Sequence, residues 1–410
     1  MSDVSRGYMS GPAEARRTGV EQMSSRRAAP LAPALTTALT VLVGLTGSLG
    51  PAGPAAAGEQ PSSPVVSPGR VLFNDPLGPA ERQYALIRHI DERIDNARPG
   101  ATVRLAAYSF AMPSTSRALL RAYRRGVVVK LVVDRHSAAW GSVQRLSSVL
   151  GTDTDRRSFV RLCDRSCRGA AGVQHAKFVT ISSTRHARDL VMVGSMNFTE
   201  HAAREQWQDL YSVDGDEAVY RQLVRVFRRM VPDRPAPALT LHGPGAGFRT
   251  EVSPVVTGDP VLRRLGYVTC RGATGGTGFH GRTVLRVAMH AWNGERGLAL
   301  ARKVAALKEQ GCNVRVLTGV GVGPRVLGTL ERAHVGVRRT GGVSRATHQK
   351  LMFVSGHFGD DRAASYAWTG SHNWTDRSLR NDEITLRIAG ARHIEAYRRA
   401  FLHVWRLTPR

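Results

Sequence analysis

Val173-Gln174-His175-Ala176-Lys177-Phe178-Val179 recurs in kind later in the chain as Ala346-Thr347-His348-Gln349-Lys350-Leu351-Met352. The chain holds only five lysines, and two of them stand two residues after a histidine in these copies. Each copy is followed by Gly-Ser-x-Asn, at Gly194 to Asn197 and at Gly370 to Asn373. One short motif is weak evidence for chemistry. Because the whole pattern occurs twice, we interpret it as a duplicated functional unit.

The spacing of histidine and lysine predicts that both side chains of a copy face one site. Residues i and i+2 of a β-strand point to the same side of the sheet. The apolar residues after each lysine, at 178–181 and 351–354, are typical of buried strand. We therefore expect His175 with Lys177, and His348 with Lys350, each to lie on one face of a strand.

Residues 1–57 resemble a secretory signal peptide. Arg26 and Arg27 precede an apolar stretch from Leu31 to Leu49, and the three alanines at 55–57 offer a cleavage site. Proline and glycine interrupt the apolar stretch, which disfavours a membrane-spanning helix. Ser25-Arg26-Arg27 also resembles a twin-arginine signal, so the export route stays open. We expect a secreted, extracellular protein with a flexible linker at residues 58–69.

The charge of the chain indicates an anionic partner. Lys and Arg number 58 against 32 Asp and Glu, which gives a formal net charge of +26. A surface of this sign attracts anionic membranes and nucleic acids alike, so charge alone does not separate them.

The four cysteines favour an oxidising compartment. Cys163 could close a small loop with Cys167, and Cys270 could pair with Cys312, although four cysteines allow three connectivities. A zinc site at Cys163 and Cys167 is disfavoured, because no second ligand pair stands at zinc spacing beside them. We expect no metal.

The same order of elements occurs on both sides of the linker-like stretch from Pro232 to Pro237. Before it, strands at 102–109 and 127–134 enclose a helix at 114–125. After it, strands at 283–290 and 313–318 enclose a helix at 295–310. Because this repeat extends beyond the motifs, we predict two α/β halves, at residues 70–235 and 236–410.

The duplicated His-x-Lys and Gly-Ser-x-Asn motifs resemble those of the phospholipase D superfamily, over residues 70–410. That family includes phospholipases D, phospholipid synthases, a bacterial endonuclease and tyrosyl-DNA phosphodiesterases. The resemblance implies two similar α/β/α sandwich domains related by pseudo-two-fold symmetry, with the active site between them. It also implies that no cofactor and no metal is required.

The resemblance further implies a division of labour among the motif residues. His175 would attack phosphorus to give a phosphohistidine, and His348 would protonate the leaving alcohol and then activate water, although which histidine is the nucleophile stays open. The phosphoryl oxygens would be held by four side chains: Lys177, Lys350, Asn197 and Asn373.

Both copies depart from the family pattern, which has an aspartate five residues after the lysine. Ser182 and Ser355 stand at those positions. Glu383 lies where the family uses a carboxylate to orient a catalytic imidazole, and we assign it to the second copy. Aligning the strands that follow makes Asp209 the candidate for the first copy, with an ordinary surface carboxylate as an equal alternative.

Four further residues are candidates for contact with the substrate: Ser195, Ser371, Trp292 and Trp374. Trp292 ends the first strand of the second half, where open α/β sheets bind ligands, and Trp374 follows the motif asparagine. Aromatic residues at such places more often pack a core. The two serines are not expected to be nucleophiles, because neither stands in Gly-x-Ser-x-Gly.

We therefore expect a secreted monomer that hydrolyses the head-group phosphodiester of phospholipids. An endonuclease of the same superfamily is the alternative, which the positive charge suits equally well. A non-catalytic module that binds anionic lipid or nucleic acid is a third reading, because both motif aspartates are replaced by serine.

Overall fold

The computed structural model describes residues 67–236, 247–255 and 257–409. The predicted signal peptide at 1–57 and most of the predicted linker at 58–69 lie outside the described residues. Within them, no helix is both long enough and apolar enough to cross a bilayer.

The first half contains eight strands and six helices. The strands are β1 (Arg70–Phe73), β2 (Thr102–Ala107), β3 (Val128–Asp134), β4 (Phe159–Cys163), β5 (Phe178–Ser183), β6 (Arg188–Gly194), β7 (Gln206–Trp207) and β8 (Asp209–Val213). The helices are α1 (Ala80–Gln83), α2 (Ala85–Asp95), α3 (Pro113–Arg124), α4 (Gly141–Leu150), α5 (Glu200–Arg204) and α6 (Glu217–Met230).

The second half contains nine strands and four helices among the described residues. The strands are β9 (Arg249–Ser253), β10 (Val268–Thr269), β11 (Val284–Trp292), β12 (Asn313–Val322), β13 (Gly336–Arg339), β14 (Ala346–Thr347), β15 (Lys350–Phe358), β16 (Asp361–Gly370) and β17 (Glu383–Ala389). The helices are α7 (Pro260–Gly266), α8 (Gly294–Glu309), α9 (Pro324–Arg332) and α10 (Ala391–Leu407).

The two main sheets repeat one topology. The strand order is β1-β8-β6-β5-β2-β3-β4 in the first sheet and β9-β17-β16-β15-β11-β12-β13 in the second, where β10 also pairs with β15. In each sheet the three strands at one end are parallel and the rest are antiparallel. The predicted fold of two similar α/β halves is confirmed.

Apolar side chains divide the molecule into layers. Helices α2, α3 and α4 pack on the outer face of the first sheet, and α7, α8 and α9 do so on the second. A central core lies between the sheets and contains the apolar stripes of α6 and α10, including Phe227 and Phe401. Because both faces of each sheet are covered, its central strands are apolar on both sides.

The spacing predicted that each histidine lies within a β-strand, and neither does. His175 and Lys177 precede β5, and His348 lies between β14 and β15. At these points the chain bonds to the opposite half: the His175 amide donates to the Asp382 carbonyl at 3.0 Å, and the His348 amide donates to the Trp207 carbonyl at 3.0 Å. This exchange carries each motif out of its own sheet and towards the other half.

Two disulfides confirm the suggested pairing. Cys163 is bonded to Cys167, and Cys270 to Cys312. Cys163 and Cys167 also lie near Asp233, but their sulfurs are bonded to each other. They are therefore not free to act as metal ligands.

Candidate active site

The first motif histidine is held by a carboxylate from the opposite half of the chain. His175 Nδ1 lies 2.9 Å from Glu383 Oε2 and 3.0 Å from Oε1. An ionised carboxylate only accepts hydrogen bonds, so Nδ1–H is the donor and the Nε2 lone pair is left for chemistry. Burial by itself would raise the pKa of Glu383, but the neighbouring His175 lowers it to about 2. Glu383 thus supports the first copy, not the second as expected.

The second motif histidine is held by an amide. His348 Nδ1 lies 3.0 Å from the Ser195 carbonyl oxygen and 3.1 Å from Gln208 Oε1. Both atoms are acceptors, so Nδ1–H is again the donor. Gln208 was not among the predicted site residues. Its counterpart in the other half is Glu383, so the two imidazoles have the same contact geometry but different partners.

The assignment of Asp209 to an imidazole is wrong by one residue of register. Gly194 pairs with Leu210 in the first sheet, and Gly370 pairs with Thr385 in the second. Counting back from these pairs matches Gln208, not Asp209, with Glu383. A slip of one residue along a strand moves a side chain to the opposite face. Asp209 accordingly faces away from both imidazoles.

The Asp209 carboxylate is instead buried between the two halves. It accepts hydrogen bonds from the hydroxyls of Thr369 and Tyr397, and burial raises its pKa. It is not the ordinary surface carboxylate of the alternative reading, because its exposed fraction is 0%. Its role is to join β8, β16 and α10.

The Gly-Ser pairs of the motif hold the two supporting side chains. Ser371 Oγ donates to Glu383 Oε2 at 2.5 Å, and Ser195 Oγ donates to Gln208 Oε1 at 2.9 Å. Both serines are fully buried, which corrects the prediction that they contact substrate. The two serines hold Glu383 and Gln208, and these side chains in turn orient the two imidazoles.

Both lysines are buried beside the histidines. Lys177 Nζ donates to the His175 carbonyl at 2.7 Å, and Lys350 Nζ lies 3.1 Å from His348 Nε2. Burial lowers the pKa of Lys177 to about 7, and burial together with the Lys177 charge holds the pKa of Lys350 well below its usual value. Because cations repel one another here, the site is prepared for an anion.

The pKa values of both motif histidines lie below the ordinary value for imidazole. Burial lowers the pKa of His175 to about 4, partly opposed by Glu383. Burial and then the charge of Lys350 hold the pKa of His348 well below its ordinary value. His175 also feels the charge of Lys350, and His348 that of Lys177. The two copies therefore form one electrostatic unit.

The motif asparagines follow β6 and β16, lie beside the carboxyl ends of β2 and β11, and are half-buried. Asn373 Oδ1 accepts from the Ala291 amide at 3.3 Å, which leaves its amide hydrogens free of that contact. Asn197 is anchored through its neighbour, since the Phe198 amide donates to the Ser109 carbonyl at 3.0 Å. Asn197 Oδ1 is buried without a partner among the described residues.

The two tryptophans predicted to contact substrate are core residues. Trp292 is 0% exposed and Trp374 is 2% exposed, and their rings pack edge to face with centroids 4.5 Å apart. The Trp292 indole nitrogen donates to the Gly297 carbonyl at 2.6 Å. Both rings pack between α8 and the second sheet, so they belong to the core and not to the predicted binding site.

Aromatic side chains border both imidazoles, and Tyr108 among them was not assigned to the site beforehand. The Tyr108 ring lies 5.0 Å from the His175 ring and 5.4 Å from Lys177 Nζ. On the other side, the His290 ring lies 4.3 Å from the His348 ring. Tyr108 follows β2, at the carboxyl end of a parallel strand, which is the signal that could have identified it.

A loop closed by the Cys163–Cys167 disulfide secures the segment that carries Glu383. Arg168 Nε donates to Asp382 Oδ1 at 3.0 Å, and Ser166 Oγ donates to Asp382 Oδ2 at 3.0 Å. Burial raises the pKa of Asp382 to about 6, although Arg168 opposes this rise. A buried ion pair next to Glu383 fixes the position of that carboxylate.

Taken together, the site offers two imidazoles with oriented Nδ1 hydrogens, two buried ammonium groups and two amide side chains. One imidazole is backed by a carboxylate, which stabilises positive charge on the ring, and the other by a neutral amide. Such a set can form a covalent bond to an electrophilic phosphorus, deliver a proton and hold an anion.

The sequence matches the family described as "Cardiolipin synthase, PLD-like domain" over residues 90–231 and 282–405, which contain both motifs. No curated protein matches the sequence.

Solved structures resemble this chain at low sequence identity, and two of them reach a TM-score of 0.50 or more. A phosphatidylserine synthase from Haemophilus influenzae Rd KW20 is 15% identical with a TM-score of 0.52, over 83% of this chain and 87% of that one. A polyphosphate kinase from Porphyromonas gingivalis is 16% identical with a TM-score of 0.50, over 82% of this chain. This chain covers only 49% of the kinase. Nuc from Salmonella typhimurium, a phospholipase D family member, is 21% identical with a TM-score of 0.30, over 39% of this chain and 91% of that one.

Proposed function

This chain belongs to the family of phospholipase D-like domains, and from that premise we propose that it hydrolyses phosphodiesters through a phosphohistidine. The observation that carries the proposal is the contact between His175 Nδ1 and the Glu383 carboxylate at 2.9 Å. It orients an unprotonated Nε2 as a nucleophile and offsets the positive charge that the ring acquires on bonding to phosphorus.

In the first step, the His175 Nε2 lone pair forms a bond to phosphorus and the bond from phosphorus to the leaving oxygen breaks. His348 gives its proton to that oxygen, so that an alcohol departs. Gln208 suits His348 to this role, because a neutral amide stabilises the imidazolium less than a carboxylate does and leaves the proton easier to give up. The negative charge of the bound diester raises the pKa of His348 and allows it to be protonated beforehand.

In the second step, neutral His348 removes a proton from water, and the water oxygen bonds to phosphorus. The bond between phosphorus and His175 Nε2 breaks, which regenerates the free imidazole and releases a phosphomonoester. Lys177, Lys350, Asn197 and Asn373 hold the non-bridging oxygens through both steps. Their donors are in place before the reaction, so little reorganisation is needed as charge develops.

The substrate that we favour is the head-group phosphodiester of a phospholipid, hydrolysed outside the cell. A signal peptide at residues 1–57 would export the protein, so its substrate would be met outside the cell. Both halves of the site come from one chain, so a monomer is sufficient for activity. Choline release from phosphatidylcholine would leave phosphatidic acid as the second product.

An endonuclease is the second candidate, and the net charge of +26 supports it. Lysine and arginine side chains neutralise nucleic-acid phosphates and release counterions, which gives strong binding at low salt. The same catalytic residues would serve, because the bond that breaks is again a phosphodiester.

The test offers the purified protein phosphatidylcholine vesicles and, separately, plasmid DNA, each in the presence of EDTA. His175→Ala and His348→Ala are tested in parallel. We expect choline release from the vesicles, reduced by at least about 10²-fold in each variant, because each removes a group that acts directly on the reacting atoms.

The other outcomes are equally informative. Nicking of DNA without choline release would replace the phospholipid by nucleic acid and retain the chemistry. Binding of either substrate without turnover would favour the non-catalytic module and overturn the proposal.

A further inference from the structure

Two valines protrude into solvent far more than the other large apolar side chains among the described residues. Val343 is 82% exposed and Val320 is 72% exposed, whereas the next in order, Phe279, is 55% exposed. Single exposed apolar residues are ordinary on protein surfaces. Exposure therefore matters here only because of where these two valines stand.

Val320 stands across β-strands from the catalytic centre. The pairing of β11 with β12 shifts register between Met289 and Ala291, so that Gly319 and Val320 together oppose His290. This is a β-bulge, which turns a strand residue out of its regular direction. The His290 ring is in turn 4.3 Å from the His348 ring. Val320 therefore lies opposite His290, and His290 packs against the imidazole of His348.

Val343 stands at the tip of the turn that leads directly into His348. The ends of this turn are joined by the Thr347 amide, which donates to Thr340 Oγ1 at 2.7 Å. The Thr340 amide also donates to the Thr318 carbonyl at 2.9 Å. Both valines therefore stand on segments that are hydrogen-bonded to each other through Thr318, Thr340 and Thr347.

The turn is built to hold its tip outward. Gly342, which precedes Val343, adopts a φ of +52°. This is the left-handed region, which glycine reaches at little cost and valine avoids. Ser344, on the far side of the tip, is 1% exposed, and its carbonyl accepts the Trp207 indole hydrogen at 2.7 Å. The Ser344 side of the tip is thereby anchored to Trp207 of the first half.

Positive charge is also available near the other imidazole of the site, His175. Arg377 and Arg380 are exposed, and neither forms a salt bridge among the described residues. Arg377 lies near enough to Tyr108 to oppose the rise in the pKa of its phenol, and Tyr108 borders His175. Two exposed aliphatic side chains on segments next to His348, together with free guanidinium groups near His175, complement a membrane surface that carries anionic lipid.

We propose that Val320 and Val343 insert into the acyl region of an anionic phospholipid bilayer and hold the catalytic cleft against its surface. The proposal rests on the proposed phospholipid substrate and adds the surface that the protein approaches. Insertion of two aliphatic side chains adds apolar burial to the attraction between the basic protein and anionic head groups. Neither valine touches the reacting atoms, so the chemical step itself does not depend on them.

The test uses the double variant Val320→Ser/Val343→Ser and the matched control Val149→Ser. Val149 is 40% exposed and is the last residue but one of α4, in the first half of the chain. Each protein is sedimented with vesicles of phosphatidylcholine and phosphatidylglycerol, and its turnover is measured on those vesicles. Turnover is also measured on bis(4-nitrophenyl) phosphate, a soluble diester that needs no membrane.

We expect the double variant to lose about tenfold or more in vesicle binding and in vesicle turnover, from the lost apolar insertion. Turnover of the soluble diester should stay unchanged, and the control should match the parent protein throughout. Unchanged vesicle binding and turnover would overturn the proposal. So would an equal loss on the soluble diester, which would show that the valines serve the site itself.

Failure of the proposed function is distinguished from failure of the membrane surface by the turnover and vesicle binding of the parent protein. A parent protein that hydrolyses neither substrate, yet binds vesicles in a manner that depends on the two valines, would refute the enzyme and keep the membrane surface. A parent protein active on the soluble diester only, without vesicle binding, would refute the surface and keep the phosphodiesterase.

Discussion

Single residues make the two halves of the site chemically unequal. His175 gives its Nδ1 hydrogen to the Glu383 carboxylate, whereas His348 gives its own to a carbonyl and to the Gln208 amide. The hydroxyls of Ser371 and Ser195 hold these two partners in the same way. The difference of one carboxylate is what separates the proposed nucleophile from the proposed acid.

Glu383→Gln should reduce kcat/KM on a soluble diester by about 10²- to 10⁴-fold, the range found for removing an acid–base partner. The amide keeps the shape and an oxygen that accepts the Nδ1 hydrogen, but it no longer offsets positive charge on His175. Steady-state kinetics measure the change, with circular dichroism as the control for folding. Unchanged activity would refute the orienting role of Glu383.

Gln208→Glu is the reciprocal change. A carboxylate beside His348 favours the imidazolium and raises its pKa, so the pH range in which His348 is protonated should extend upward. The pH profile of kcat should shift in that direction, while Glu383→Gln should not move it so. A profile identical to that of the parent protein would show that Gln208 does not control the His348 proton.

Lys177 should limit activity on the alkaline side. Burial lowers its pKa to about 7, so the ammonium is present below that pH and is lost as the pH rises above it. Because the charged form is needed to hold the phosphoryl oxygens, kcat/KM should fall above about pH 7. A soluble diester without titrating groups in this range is the suitable substrate, because kcat/KM reports the free enzyme. A flat profile up to pH 9 would contradict this role.

At the level of elements, close approach of neighbouring strands explains the glycine that precedes each motif serine. A Cβ at Gly370 would lie 2.1 Å from the Ile384 carbonyl oxygen, and a Cβ at Gly194 would lie 2.3 Å from the Asp209 carbonyl oxygen. These matching contacts also pair Asp209 with Ile384, which independently supports the match of Gln208 with Glu383. The hairpin register therefore decides which side chain reaches the imidazole.

Gly370→Ala should destabilise the protein by at least about 2 kcal/mol, because both the φ of +143° and the contact with Ile384 oppose a side chain. Gly141→Ala is the matched control, since a Cβ at Gly141 meets no atom within 4 Å. That control should change stability by no more than about 0.5 kcal/mol. Urea denaturation measures both, and equal effects would contradict the steric explanation.

At the level of the whole molecule, the two halves share one core and one site. Apolar residues of both sheets, with α6 and α10, form a single cluster between them. Asp209 of the first half is bonded to Thr369 and Tyr397 of the second, and Arg168 to Asp382. Neither half can bury these surfaces alone.

We therefore expect one cooperative unfolding transition. Far-ultraviolet circular dichroism and tryptophan fluorescence should give coincident denaturation curves, since both halves contain tryptophan. Expression of residues 70–235 alone should give an aggregating or partly folded chain, because α6 would expose Phe227 and its neighbours. Two separate transitions would show that the halves are independent domains.

The sequence by itself determined the duplication, the order of elements, the disulfide pairs that were suggested and the identity of both His-x-Lys pairs. These follow from local periodicity and from motif spacing, which depend on residues near one another in the chain. The family resemblance, carried by the same residues, supplied the expected arrangement of two halves.

Only the tertiary structure decided which residues meet across the halves. His175 is held by Glu383, 208 residues away in sequence, and His348 by Gln208, 140 residues away. Gln208 lies one residue from Asp209, the residue that the sequence suggested for the first copy. Burial of Trp292 and Trp374, and exposure of Val320 and Val343, were also invisible in the sequence. The reason is physical: strand register and the exchange of backbone hydrogen bonds between halves are set by packing of the whole chain, and a shift of one residue reverses which face a side chain occupies.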